Sequence, residues 1–81
     1  MTITLRLFAI LRERAGISAI TLRLPEGATA ADAKASFASQ YPDVSPMLSR
    51  VAVSINQSYS PAETVLHDGD EVALIPPVSG G

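Results

Sequence analysis

Two hydrophobic rhythms alternate along the chain. Thr2-Ile3-Thr4-Leu5-Arg6-Leu7 is apolar at every second position, with Ile3, Leu5 and Leu7 on one face, which predicts a strand. From Phe8 to Ala15 that alternation gives way to good helix formers. The segment predicts about two turns of helix, or a structured loop, closed by Gly16 just past its end. Ser18 to Leu24 alternates again with Ile20, Leu22 and Leu24 inward, a second strand, and Pro25-Glu26-Gly27 turns the chain.

The rhythm then changes to that of a helix. Thr29 is placed as an N-cap, with Asp32 three residues on in the position of a capping-box acid. Ala30, Ala33, Phe37, Ala38 and Tyr41 fall on one helical stripe, and Pro42 ends it. About eleven residues of helix are about 16 Å long, enough to cross one face of a small sheet. Asp43 to Arg50 reads as a connector with a short turn at Pro46-Met47-Leu48.

Val51-Ala52-Val53-Ser54-Ile55 predicts a third strand, with Val51, Val53 and Ile55 inward. Asn56-Gln57-Ser58 turns the chain, and Tyr59 begins a short edge strand limited by Pro61. Val65-Leu66 is expected to plug the core before the Asp68-Gly69-Asp70 turn. Val72 and Leu74 then alternate with Glu71 and Ala73 in a last strand. Pro76 and Pro77 cannot donate to a ladder, so pairing should stop there while the chain stays extended.

Strand, strand, helix, strand, short strand, strand gives one substantial helix for one sheet. One helix covers one face, so the expected class is a two-layer α+β domain. The order describes the β-grasp, or ubiquitin-like, arrangement, with a mixed four- to five-stranded sheet. The domain is expected over residues 1–75, followed by an extended, flexible tail over residues 76–81 ending in Gly80-Gly81.

Composition narrows the function. The 81 residues make one small domain, which buries only about 60% of its unfolded surface. A net charge of −2 offers no basic footprint for nucleic acid or an anionic membrane. No run approaches the roughly 18 apolar residues of a membrane span, and no signal-peptide pattern opens the chain. There is no cysteine, and His67 is the single histidine, too few soft ligands for a structural zinc. A cytoplasmic domain without a metal is therefore expected.

Self-contained catalysis is not expected either. His67 has no cysteine to activate, and no serine is spaced beside a base and an orienting acid. Asp68, Asp70 and Glu71 cluster, but they match no calcium-loop spacing, and acidic turns are usually solvated. Lys34, the single lysine, lies off the helical stripe and is assigned a solubility role.

The tail is the remaining chemical feature. An α-carboxylate, with a pKa of about 3.3–3.7, is ionised and can attack an activated phosphate. Gly80 and Gly81 remove bulk at the acyl carbon and let the backbone approach a nucleotide closely.

Asp68-Gly69-Asp70-Glu71-Val72-Ala73 with Pro76-Pro77-Val78-Ser79-Gly80-Gly81 resembles the small-subunit family of molybdopterin synthase, ubiquitin-like sulfur carriers. Leu7-Phe8-Ala9, Arg12-Glu13 and Gly16, and Val53 to Gln57, are similar to the same family, so the resemblance covers essentially the whole chain. It implies that the first and last strands lie parallel and adjacent. It also implies that an ATP-dependent, ubiquitin-activating-type (E1-like) enzyme adenylates Gly81, and that a sulfur donor protein converts the adenylate to a thiocarboxylate. The molybdopterin synthase large subunit, in a heterotetramer with this chain, would then take up the tail and build the dithiolene of molybdopterin. No cofactor is expected on this chain, the ATP being held by the activating enzyme.

In that frame Gly81 carries the sulfur and Gly80 permits passage. Pro76, Pro77, Val78 and Ser79 enter the partner, and Phe8 and Ile75 are docking contacts. Phe8, Ala52, Ala73 and Ile75 share the face opposite the helix, an apolar spot rimmed by Arg6 and Arg23. Three alternatives remain at this stage. They are a carrier serving thiamine or cysteine synthesis, a modifier joined to lysines through Gly81, and an interaction module with an inert tail.

Overall fold

The computed structural model describes residues 1–77. Five strands form one mixed sheet in the order β2-β1-β5-β3-β4. They are β1 (Thr2–Leu7), β2 (Ala19–Arg23), β3 (Ala52–Ile55), β4 (Ser58–Ser60) and β5 (Glu71–Ile75). The short helix α1 (Ala9–Ala15) follows β1, and α2 (Ala30–Gln40) is the crossover helix. Antiparallel pairing joins β1 to β2, β3 to β4 and β3 to β5, while β1 and β5 are parallel. A parallel pair cannot be closed by a tight turn, and the helical layer supplies the crossover.

The inward rhythm is met residue by residue. Ile3, Leu5 and Leu7 of β1, Leu22 of β2, Val53 of β3 and Val72 and Leu74 of β5 are buried. Register places Leu5 beside Val72 and Leu7 beside Leu74 at the sheet centre. The helical layer covers them with Ala30, Ala33 and the fully buried Phe37, whose ring lies 5.2 Å from that of Tyr41. Thr29 caps α2 as expected: the Asp32 N–H donates to its Oγ1, and its own N–H donates to Asp32 Oδ2 at 2.9 Å. Gly16 ends α1 at φ 78°, donating to the Arg12 carbonyl.

Three expectations are corrected. The connector is a nine-residue 3₁₀ helix, Pro42–Arg50, and its Val44 and Leu48 enter the core. Lys34 is half-buried, and its Nζ donates to the Leu48 carbonyl at 3.2 Å, tying α2 to that helix. Val65 remains 49% exposed, because its backbone bridges to Thr29 while the neighbouring Leu66 fills the core alone.

The β5 end of the turn over residues 67–70 is held by polar bonds. Asp68 Oδ1 accepts from the Thr2 N–H at 2.7 Å, and Asp70 Oδ2 from the His67 N–H at 2.8 Å. Asp70 Oδ1 also accepts from Asn56 Nδ2, while Asn56 Oδ1 accepts from the Glu71 N–H. Asn56 and Gln57 both have positive φ, so the β3–β4 turn is a two-residue hairpin whose first residue is pinned to β5.

Two outcomes follow for stability. Thr29→Ala removes the cap and should destabilise by about 1 kcal/mol, read by denaturant unfolding. The His67 N–H, then the Asn56 amide, hold the Asp70 carboxyl below its ordinary value of 3.8. A depressed folded pKa contributes stability above the unfolded value, lost as pH falls through the folded one. Below about pH 3.8 the melting temperature of the wild type should fall towards that of Asp70→Asn, whose own curve lacks this contribution.

Candidate functional site

The two central strands end together. Arg6 pairs with Ala73 and Leu7 with Leu74, so Phe8 and Ile75 come next, side by side, where the chain leaves the sheet. Phe8 continues the parity of Thr2, Thr4 and Arg6, and Ile75 that of Glu71 and Ala73, so both face away from α2. There Phe8 (41% exposed), Ala73 and Ile75 line a shallow depression of about 410 Å³. The Arg6 Nε–Glu71 Oε2 ion pair, 2.9 Å long, and Gln57 form its polar edge. Ser54 completes it and is 93% removed from solvent (7% exposed), a buried polar residue on a face that periodicity treats as open.

The patch of Phe8, Ala73 and Ile75 is thus brought together, with Ala52 paired to Ile75 on the same face. Arg23 is not part of it. Its partner across β1 is Thr2, at the opposite end of the strand, whereas Arg6 is opposite Ala19. Strand parity gives Arg23 the right face and says nothing of its height along the sheet.

A second apolar surface flanks the exit on the helical side. Ala9, Ile10, Pro46, Met47, Pro76 and Pro77 line a groove of about 590 Å³ between α1 and the 3₁₀ helix. Sequence reading missed it, since it forms only when the 3₁₀ helix closes against α1. The signal in the chain was Ile10, an exposed apolar residue beside the buried Leu11. Pro76 and Pro77 end the ladder after Ile75, while Val78, Ser79, Gly80 and Gly81 lie outside the described residues.

The acidic cluster is engaged in holding the fold. Asp68 binds the backbone of Thr2, Asp70 that of His67 and the side chain of Asn56, and Glu71 binds Arg6. Among the described residues no three His, Asp or Glu side chains converge as a metal site would require. His67 is a solvated turn residue, its side chain 82% exposed and its Nδ1 4.0 Å from Asp70 Oδ2. What the described surface does present at the root of the tail is apolar side chains, Phe8 and Ile75 on one side and Ile10 on the other.

Comparison with known proteins agrees with this geometry. The ThiS family model matches residues 5–81. The molybdopterin synthase sulfur carrier subunit of Arabidopsis thaliana is 33% identical over 75 residues, covering 93% of this chain and 78% of that one. The subunit of the same name from Chlamydomonas reinhardtii is 37% identical over 83 residues, covering 100% of both. The crystal structure of SAMP1 from Haloferax volcanii, a small archaeal modifier protein, superposes with a TM-score of 0.90 at 29% identity, covering 100% of both chains. The sheet order, the crossover helix and these matches make the fold a ubiquitin-like β-grasp, and the chain belongs to the ThiS family.

Proposed function

We propose that this chain is the sulfur-carrying subunit of a molybdopterin synthase, with the C-terminal carboxylate of Gly81 as its working group. The observation that carries the reading is similarity along the whole chain to proteins called molybdopterin synthase sulfur carrier subunits. The parallel β1–β5 pair supports it, because it sends the chain out beside an apolar patch suited to a partner.

In this reading a Gly81 carboxylate oxygen bonds to the α-phosphorus of ATP on the activating enzyme, and pyrophosphate leaves. Sulfide delivered by the donor protein then attacks the acyl carbon and displaces AMP, leaving a thiocarboxylate. The large subunit takes the tail and transfers the sulfur towards the dithiolene. Gly80 lets the backbone pass a narrow channel in the partner, Val78 and Ser79 enter that partner with it, and Pro76 and Pro77 set the exit direction. In this reading the chain itself holds no cofactor and works in the cytoplasm. All polarising groups come from the partners.

The likeness to an archaeal modifier favours a second reading, in which Gly81 is joined to lysines of other proteins. The products separate the two. A carrier yields an intact mass raised by one oxygen-to-sulfur exchange, localised by fragmentation to Gly81, after incubation with ATP, activating enzyme and sulfur donor. A modifier yields isopeptide-linked species on a blot. One residue added after Gly81 should abolish molybdopterin formation, and normal synthesis by that variant would refute the carrier role. Phe8→Ala should weaken binding of the large subunit by about 1–3 kcal/mol in titration calorimetry, if Phe8 is a central anchor. An unchanged affinity would remove it from the interface.

A further inference from the structure

The open-face patch accounts for one side of the tail's root; the groove between α1 and the 3₁₀ helix accounts for the other. Phe8 lies in the patch and Ile10 in the groove, both exposed, with only Ala9 between them. Ala9 has φ 52°, in the left-handed region that a residue with a Cβ avoids. That turn aims Phe8 to the sheet side and Ile10 to the helix side of the exit. Scattered exposed apolar residues are ordinary, but these two straddle one point, and backbone strain separates them.

Charge is sorted along the same axis. The Leu7 N–H donates to the Ser18 carbonyl at 2.9 Å, so α1 departs from and returns to the tail end of the sheet, carrying Arg12 and Arg14 there. Arg50 lies at that end too, since Ala52, two residues on, pairs with Ile75. Glu26, past the end of β2, and Asp68, bonded to Thr2, lie at the opposite end together with the single arginine Arg23, so three of the arginines stand at the tail end. Among the described residues the salt bridges are Arg6–Glu71 and His67–Asp70, and neither engages Arg12, Arg14 or Arg50. A chain of net charge −2 therefore presents arginines where its tail departs, with Glu13 as the groove's own acid.

We infer that the groove is a second docking site, for an apolar side chain set among carboxylates on the protein that receives the tail. That partner grips the tail's root from both sides, Phe8 on one and Ile10 with Met47 on the other. The inference rests on the functional reading above and specifies the surface its partner presents. The apolar depth of the groove selects a protein knob over a purely ionic ligand, and the arginines steer an acidic rim towards it.

The test is the association of the full chain with the molybdopterin synthase large subunit, followed by surface plasmon resonance across a salt series. The wild-type association rate should fall steeply as salt rises. Reversing Arg12, Arg14 and Arg50 to Glu should slow association about tenfold and flatten that dependence. Ile10→Ala, checked for an unchanged melting temperature, should speed dissociation about tenfold. Glu26→Lys, at the far end, should leave both rates as they are. If the arginine and Ile10 variants keep wild-type rates and salt dependence while Phe8→Ala weakens the complex, the groove is no docking site. Absence of any binding by the unaltered chain would instead overturn the functional reading.

Discussion

The parallel pairing of β1 with β5 is the constraint on which the molecule depends. It joins the first strand of the chain to the last, and every other element hangs from that pair: β2 on the outer edge of β1, β3 and then β4 on that of β5. Its inward residues, Leu5, Leu7, Val72 and Leu74, are all but completely buried beneath the helical layer. Closing so long a loop costs entropy that grows only slowly with length, and apolar burial at about 25 cal/mol per Å² offsets it. Because the pair is parallel, both strands finish at one end. The place where the tail departs is thereby fixed beside Phe8.

The two ends of the sheet are built differently, and the difference has a physical logic. At the far end, Asp68, Asp70 and Asn56 satisfy the backbone of Thr2, His67 and Glu71, so the start of β5 is tied on both sides. At the tail end, apolar side chains remain half-exposed and a positive-φ alanine is tolerated. Polar bonds set the register of the final strand, while apolar surface is left uncovered where the chain exits. A β5 slipped by one residue would turn Val72 and Leu74 outward and bring Ala73 inward. The bonds to Asn56 and Thr2 work against that slip.

Periodicity read the fold well because the determinants were local. Alternation placed the main strands to within a residue or so, and Thr29 with Asp32 announced the start of α2. The patch of Phe8 and Ile75 was legible once the parallel pair was supplied by resemblance, and parity did the rest. What failed depended on distance through space. Lys34 looked like a surface charge until the 3₁₀ helix brought the Leu48 carbonyl within 3.2 Å of its Nζ. Val65 is apolar, yet it stays half-exposed while its neighbour Leu66 is buried in the core. Arg23 has the parity of the patch, but strand register puts it opposite Thr2. The groove needs two segments that touch only in the folded chain. Gly80 and Gly81, the residues on which the functional reading turns, lie outside the described residues.

Net charge illustrates the same limit in its strongest form. A value of −2 is a sum, and as a sum it offers no basic footprint for nucleic acid. Topology decides where the terms of that sum lie, and here it gathers Arg12, Arg14 and Arg50 with Glu13 at one end, and Glu26 and Asp68 with Arg23 at the other. In the proposed role, a carrier that visits an activating enzyme and then a synthase must leave each partner as readily as it finds it. Small apolar anchors within a charged rim suit that demand, because charge raises the rate of encounter while a modest buried area keeps dissociation fast. A larger apolar face would bind one partner more tightly and hold the tail back from the next. The sparse surface around Phe8 and Ile10 suits the sequential delivery proposed for this chain.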